Sequence, residues 1–482
     1  MATYGSFPGV RVTTESGGIQ AVEIGEEEKL VFFGEANYVV NDAGDGLVVE
    51  GDDAESFDVK ANEFEQISQA KFADSKFGSD TELANAMKNS IGNGANTNYL
   101  YGVAVERKVV EGQSETQQEG NLGNVEIVEN TGEPVDLSAG DVNDFGISVA
   151  DDSGELTVRL RYGGAPATPE DGEVHVNPLT GDYAAAPDST GDLVFDYCHN
   201  DYASAFLSNS TQSIVNEDET GIFFALSDSD SVSADLNNTV NGLRTDYQLV
   251  NALSFAQPND SELYDAANVS DENGGADARY ETSTFEQGSV SAPYYYKFAP
   301  ARIEDEDNTV GGGLGGLFAG NPISEPIYNE VISGYGALEQ NLVKSEADDL
   351  RGEDVIPVRS GGNVRVKGNR STAYSVSGSV AADFWTRRIT DRVILIGKQI
   401  GDAILGRIND ETTRSLAERR IEQEMRALES QRLIQPNSGE EQNWKVTAYV
   451  DPTNDDEVNI DIAFSPYGIV KNVDETITVD TN

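Results

Sequence analysis

The clearest hydrophobic pattern lies in the last hundred residues, where apolar positions recur every three or four residues in two stretches. This spacing is one face of an amphipathic helix. The first stripe consists of Trp385, Ile389, Val393, Ile396, Ile400 and Ile404, and the second of Ala417, Ile421, Met425 and Leu428. Asn409-Asp410 offers a helix cap between them. The pattern therefore predicts a helical hairpin.

Three segments of alternating apolar and polar residues follow the hairpin and predict strands. They are Trp444–Val450, Val458–Phe464 and Thr476–Val479, and the acidic stretch Asp451–Glu457 joins the first two. This stretch lacks the glycine and glutamate spacing of a calcium-binding EF-hand loop, so we expect a solvated turn. Two helices followed by antiparallel strands indicate a C-terminal α+β module.

Upstream, short apolar strands alternate with helical segments, which is the pattern of βαβ units. The predicted strands are Leu30–Gly34, Tyr99–Val105, Gly221–Leu226 and Leu249–Phe255, and the predicted helices are Glu82–Asn89, Tyr202–Asn209 and Ser233–Leu243. The glycine-rich stretch Asn308–Phe318 is expected to be a flexible loop. Because Gly311–Gly316 is not followed by Lys-Ser/Thr, it is not a phosphate-binding loop.

Residues 111–190 are rich in Gly, Asp, Thr and Pro and contain only short alternating pieces such as Leu156, Val158 and Leu160. They predict an inserted β-rich surface domain. The expected organisation is a multidomain α/β and α+β chain. Its parts are an N-terminal arm with the first strand (1–34), an α/β core in two pieces (35–110 and 191–365), the insert (111–190) and a C-terminal α+β domain with a terminal strand arm (366–482).

Charge is unevenly distributed along the chain. The formal net charge is −53, yet residues 351–432 contain 15 Lys and Arg against 11 Asp and Glu. A basic stretch in so acidic a protein indicates a surface that faces an acidic partner. Dispersed acids and scarce lysine favour adaptation to high salt over the binding of cations or basic partners. We expect structure or assembly to be lost below about 1 M salt, where self-repulsion is less screened.

Candidate catalytic or metal-binding residues are few. Cys198 is the single cysteine, and His199 and His175 are the two histidines. We expect a buried thiol beside a surface histidine, and carboxylates are too abundant for any pair to indicate acid–base chemistry. The sequence thus predicts no enzyme activity, cofactor or metal site. Its negative charge predicts no nucleic-acid binding, and no apolar run approaches the roughly 18 residues of a membrane span.

The order of several short motifs resembles that of contractile tail sheath proteins. The motifs are Phe7–Val12, Asn93-Gly94 with Asn98–Val103, Leu314–Gly320, the double-arginine segment Trp385–Ile389, and Ala427–Ile434. They cover both ends and most of the middle of the chain. Two features depart from the family: the insert at 111–190 has no counterpart, and Asn363–Tyr374 replaces the stretch that precedes the two arginines.

The resemblance implies a structural subunit with an α/β sheath core. Such subunits polymerise as stacked hexameric rings around an inner tail tube and contract to drive the tube through the target cell envelope. The implied partners are further copies of the chain, the tube protein, and baseplate and tail terminator proteins. The implied location is a virion tail assembled in the host cytoplasm, and the acidic composition adds a salt-loving, haloarchaeal host. An acidic extracellular surface-layer or adhesin protein of a halophile is the alternative.

The resemblance also implies two kinds of contact. Extended terminal arms add strands to neighbouring subunits, which assigns strand exchange to Val10, Arg11, Val12, Ile477, Thr478 and Val479. A helix of the C-terminal domain contacts the tube, which assigns a tube-facing basic helix to Arg387, Arg388, Arg392, Lys398 and Arg407. The alternatives are that both terminal strands pair inside their own subunit and that the arginines balance nearby acids such as Asp391 and Glu411.

Overall fold

The computed structural model describes residues 28–36, 39–40, 47–48, 61–79, 81–123, 126–128, 147–160, 169–178, 180–216, 219–245, 248–257, 296–303, 306–338, 341–352, 354–372, 383–438 and 442–467. These residues form two compact units. The larger unit contains the described residues between 28 and 321 and between 329 and 384. The smaller unit contains residues 322–328 and the described residues between 385 and 467.

A nine-stranded sheet forms the centre of the larger unit. In order across the sheet, its strands are β19 (Val331–Ile332), β21 (Val364–Val366), β20 (Ile356–Ser360), β16 (Tyr296–Ala299), β15 (Leu249–Phe255), β14 (Thr220–Ala225), β1 (Lys29–Gly34), β5 (Leu100–Ala104) and β4 (Phe64–Gln66). The strands from β20 to β5 are parallel. All four upstream strands predicted from the sequence are confirmed, with ends that differ by at most one residue.

Helices accompany this sheet, and both of its faces are covered. They are α1 (Lys71–Phe77), α2 (Glu82–Gly92), α3 (Tyr202–Leu207), α4 (Asn209–Ile214), α5 (Asp230–Thr245), α6 (Gly311–Gly320) and α7 (Lys344–Gly352). On one face, Phe33 packs against Phe206 of α3 with ring centroids 4.9 Å apart. Phe32 points to the opposite face, beside Gly315 of α6. Burial on both faces explains why these strands are continuous apolar runs.

The stretch expected to be a flexible glycine-rich loop is instead the buried helix Gly311–Gly320. The expectation followed from the cost of glycine in a helix, about 1 kcal/mol relative to alanine. Packing overrides this cost. A Cβ at Gly312 would lie 2.4 Å from the carbonyl oxygen of Ala86, and one at Gly316 would lie 2.3 Å from that of Ser90. Glycine therefore lets α6 rest backbone to backbone on α2.

An eight-stranded sheet is inserted between β5 and α3. Its strands are β6 (Arg107–Glu115), β7 (Glu119–Asn121), β8 (Ile127–Val128), β9 (Ser148–Asp151), β10 (Gly154–Leu160), β11 (Glu173–Val176), β12 (Asp182–Ala185) and β13 (Leu193–Asn200). A separate hydrophobic cluster that includes Leu156, Val158 and Phe195 fills it. The β-rich insert thus runs from Arg107 to Asn200, beyond the predicted 111–190.

Two small ribbons and a short 3₁₀ helix complete the larger unit. One ribbon pairs β2 (Val39–Val40) with β3 (Leu47–Val48), and the other pairs β17 (Arg302–Ile303) with β18 (Glu306–Thr309). The 3₁₀ helix is Thr97–Tyr99, directly before β5. The predicted helix Tyr202–Asn209 is divided into α3 and α4, because the side chain of Ser208 caps the second helix.

The smaller unit contains the predicted helical hairpin and strands. They are α8 (Phe384–Ile404, whose first residue belongs to the larger unit), α9 (Glu411–Ser430), β22 (Trp444–Asp451) and β23 (Asn454–Phe464). Both predicted apolar stripes are buried in one cluster with Trp444 and Ile460. The carboxylate of Asp410 accepts a hydrogen bond from the Thr413 amide at 2.8 Å, so the predicted cap is confirmed.

The C-terminal part of the smaller unit begins at Trp385, later in the chain than the boundary at residue 366 that the sequence predicted. Val366 lies in β21 opposite Val358. The Lys367 amide donates to the Pro357 carbonyl at 2.7 Å. The first part of the basic stretch, up to Arg370, therefore belongs to the larger unit.

Candidate assembly surfaces

The two long antiparallel strands of the smaller unit are joined by a tight turn at Pro452-Thr453. The carboxylate of Asp451 accepts hydrogen bonds from the Thr453 amide at 2.7 Å and the Asn459 side chain at 2.8 Å. The acidic stretch is thus a hairpin turn, as predicted. Its later residues belong to β23, which begins at Asn454, earlier than the predicted strand.

Within the described part of the chain, this hairpin leaves the outer edge of β23 without a partner strand. The outer edge of β22 is bonded to side chains instead: the amide and carbonyl of Trp444 bond with Asn437, and the Ala448 amide donates to Glu418. No third strand pairs with β22 or β23 among the described residues, and one isolated bridge, between Ile434 and Pro466, lies just beyond the end of β23. A two-stranded ribbon is marginally stable alone, and the cluster around Trp444 on α8 and α9 supplies the missing packing. The outer edge of β23 offers main-chain donors and acceptors on which a further strand could be added.

The first helix of the smaller unit does not present its basic residues as predicted. Arg387, Arg388 and Lys398 are only 6%, 4% and 6% exposed. The Arg387 Nε lies 3.2 Å from a carboxylate oxygen of Asp391, which is 1% exposed. These three side chains lie off the apolar stripe, but that side of α8 is also covered in the folded chain.

Two members of the predicted basic helix remain accessible to different degrees. Arg392 is half-buried, and Arg407 is exposed in the loop that follows α8. Ile408, its neighbour in that loop, is 80% exposed. Arg387, Arg388 and Lys398 are thus buried in the single chain, because the helical period locates a stripe but not what covers the remaining faces. Their assignment to a tube-facing helix stays a prediction.

The second helix, α9, carries the exposed basic face that sequence reasoning missed. Two of its five glutamates bond to β22: Glu418 accepts a backbone N–H of that strand at 2.7 Å, and Glu429 accepts an indole N–H at 2.8 Å. Arg419 and Arg426 are exposed, and Arg426 pairs with Glu422 at 3.3 Å. A signal was available, because both arginines lie off the Ala417 to Leu428 stripe.

The residues assigned to strand exchange, Val10, Arg11, Val12, Ile477, Thr478 and Val479, lie outside the described residues. The same holds for the predicted strand Thr476–Val479. Strand exchange therefore stays a prediction, supported by the open outer edge of β23.

The isolated Cys198-His199 pair lies on β13. Cys198 is buried, and burial raises the pKa of its thiol. His199 is half-buried, and burial lowers the pKa of its imidazole. Among the described residues, no group of three or more His, Cys, Asp and Glu side chains could hold a metal ion. A search of the same residues finds no helix with the length and apolarity needed to span a bilayer.

Known proteins resemble this chain in structure rather than in sequence. No protein-family model and no curated protein matches it. Its structure is similar to the contracted helical sheath of the anti-feeding prophage, with a TM-score of 0.54 and 12% identity over 99% of this chain and 100% of that chain.

Two further assemblies contain similar chains. The six-fold symmetrised baseplate of the same prophage gives a TM-score of 0.53 at 12% identity over 99% of this chain and 100% of the other. The contracted sheath complex of the extracellular contractile injection system PVC gives 0.50 at 12% identity over 99% of both chains. At this identity the likeness establishes the fold alone.

Proposed function

We propose that this chain, whose fold is that of contractile sheath proteins, is a structural subunit of a contractile sheath. The observation that carries the proposal is the coverage: the likeness to sheath structures extends over 99% of the chain and so includes both of its units. The subunit polymerises with copies of itself in stacked hexameric rings around an inner tube. Shortening of the sheath then drives the tube through the target cell envelope, and the role is mechanical rather than enzymatic.

Strand exchange at the C-terminal hairpin holds neighbouring subunits together in this proposal. The outer edge of β23 supports it, because an added strand there gains main-chain hydrogen bonds without disturbing the apolar cluster beneath the hairpin. The donated strands are the terminal segments that contain Val10–Val12 and Ile477–Val479.

Contact with the inner tube is assigned to the outer face of α9 and the loop before it, rather than to α8. Arg407, Arg419 and Arg426 are exposed there. Exposed ion pairs contribute only about 0–1 kcal/mol each. A polar contact of this strength would hold the sheath in register on an acidic tube and still release during sliding.

The remaining partners and the setting follow from the same proposal. Baseplate and tail terminator proteins bound the two ends of the polymer, which is part of a virion tail and is assembled in the host cytoplasm. The acidic composition suits a salt-loving host.

Negative-stain electron microscopy of the purified full chain in high salt tests the proposal. We expect hollow tubes with a wide lumen and ring striations. Monomers or flat lattices, with no tubes in any salt or with added tube protein, would contradict it and would favour the surface-layer alternative.

Replacing Ile477 and Val479 together by aspartate is expected to abolish tube formation while the subunit stays folded. In a donated strand these two side chains point to the same face, and their burial against the acceptor would be lost. Thr478→Asp is the matched control, because its side chain points to the other face. Tubes are counted by microscopy and folding is followed by circular dichroism. Normal tubes from the double variant would exclude this segment as a donated strand.

Dilution below about 1 M salt is expected to dissociate the polymer or unfold the subunit, because the repulsion of a net charge of −53 is then less screened. Sedimentation and circular dichroism across a salt titration measure the two effects separately. A polymer that survives in low salt with an unchanged spectrum would count against adaptation to high salt.

A further inference from the structure

Three cations lie on one face of the nine-stranded sheet, near the edge formed by β19. Arg359 of β20 is directly opposite Arg365 of β21 in the strand register. Lys367 follows Arg365 by two residues, which places it on the same side of the chain. We call these residues the basic triplet. Like charges directly opposite each other in a sheet destabilise the pairing, so the arrangement is unfavourable in the isolated subunit.

No carboxylate compensates the basic triplet among the described residues. Arg359 donates to the carbonyl oxygen of Leu342 at 2.7 Å, and Arg365 donates to that of Asn329 at 2.8 Å. The Lys367 ammonium donates to the side-chain oxygen of Asn329. Neutral acceptors therefore fix the positions of three charges without neutralising them.

The three cations also repel one another and a nearby arginine. Burial lowers the pKa of Lys367, and Arg365, Arg359 and Arg351 lower it further. Arg351 itself is paired with Asp348. With 85 acidic against 32 basic residues in the chain, a carboxylate is the expected neighbour of any cation. No carboxylate of the described residues forms an ion pair with this triplet, which leaves part of the interaction to a group outside the subunit.

We propose that the basic triplet binds a row of carboxylates on the surface of a second copy of this chain. Cross-strand neighbours stand about 5 Å apart and alternate residues of a strand about 7 Å apart, so the charges are spread out rather than convergent on one phosphate-sized point. A spread of this kind fits several acidic side chains of a protein surface.

The second copy is favoured as the partner by its own charge. The 400 residues outside 351–432 contain 74 Asp and Glu against 17 Lys and Arg, so acidic surface dominates every copy. The same excess repels nucleic acid, whose binding would rest on three cations alone. The inference rests on the proposed function in one respect, since a polymer places copies of the chain side by side.

The test compares the full chain with the variant Arg359→Gln/Arg365→Gln/Lys367→Gln, and with Lys71→Gln/Lys88→Gln/Lys108→Gln as a control of equal charge change elsewhere in the larger unit. Self-association is measured by sedimentation velocity in the same salt for all three proteins. We expect the concentration for half-association to rise about tenfold in the triplet variant, the effect of losing a few exposed ion pairs, and to stay unchanged in the control.

Thermal unfolding of the unassociated subunit separates binding from a structural role. Removal of like charges predicts an unchanged or higher midpoint for the triplet variant. A lower midpoint, with a loss of association in proportion, would mean that the triplet merely supports the fold and would overturn the inference.

Microscopy of the same samples distinguishes the inference from the proposed function. Tubes that form equally well with the triplet variant would overturn the inference and leave the sheath function intact. Triplet-dependent association without tubes in any protein would support the inference and contradict the sheath function. Binding of a DNA duplex that the triplet variant loses, with self-association unchanged, would assign this surface to nucleic acid and overturn the inference.

Discussion

Gly316→Ala is expected to destabilise the larger unit by about 3 kcal/mol, at the upper end of the usual cost of overpacking. The new Cβ would lie 2.3 Å from the carbonyl oxygen and 2.7 Å from the Cα of Ser90. Because both atoms are backbone of α2, no side-chain rotation relieves the overlap. Helices α6 and α2 must move apart. Phe32 of β1, which packs beside Gly315 of α6, would then lose its contact with α6.

The control for this prediction is Gly242→Ala. Gly242 is also helical, in α5, but a Cβ there meets no atom within 4 Å. Alanine should therefore stabilise the protein by up to about 1 kcal/mol through its helix propensity. Urea unfolding followed by circular dichroism gives both free energies. Equal stability of Gly316→Ala and the unaltered chain would show that α6 and α2 are not in backbone contact.

Asp391→Ala is expected to cost about 3–5 kcal/mol, the usual effect of removing one partner from a buried ion pair. Asp391 is 1% exposed, and Arg387, one helical turn before it, is 6% exposed. The substitution leaves the arginine charge buried without this carboxylate. The double variant Arg387→Met/Asp391→Leu should recover most of the loss, because no charge of the pair then remains to be desolvated.

Urea unfolding followed by intrinsic fluorescence measures this loss of stability. The chain contains two tryptophans, Trp385 and Trp444, and both lie in the apolar cluster of the smaller unit. The control is Glu422→Ala in α9, which removes a pair of the same sequence spacing to Arg426, whose side chain is 69% exposed. This loss should stay below about 1 kcal/mol. Equal losses for the buried and the exposed pair would contradict the expected role of burial.

Much of the fold was predictable because its signals are local. The stripe from Trp385 to Ile404 requires a helix whichever residues pack on it. The apolar runs Leu30–Gly34 and Leu249–Phe255 require strands covered on both faces. The alternation in β22 and β23 requires a ribbon with one face on a core. In each case burial of apolar surface and local backbone geometry favour the same element.

The candidate surfaces were less predictable, and α8 shows the reason. Its helical period places Ile389 and Val393 on the apolar stripe and Arg387 and Arg388 off it. A charged helix face off the stripe is normally exposed to solvent, so the sequence gives no sign that these two arginines are buried. Burial of Arg387 and Arg388 depends on what the rest of the chain brings against them. The exposed arginines of α9 lie off its apolar stripe and could have been proposed from the sequence, but the bonds of Glu418 and Glu429 to β22 decide which side of α9 is covered.

The sequence by itself determined the helical hairpin, the terminal ribbon, the parallel strands and the β-rich insert, because apolar periodicity and strand alternation are properties of neighbouring residues. The tertiary structure alone decided three further features. It made Gly311–Gly320 a helix, because close approach to α2 outweighs the intrinsic cost of glycine. It buried Arg387, Arg388 and Lys398, and it set Arg359 opposite Arg365. The first two depend on contacts between segments far apart in the chain, which no local pattern encodes. The third depends on the register of the short hairpin that joins β20 to β21.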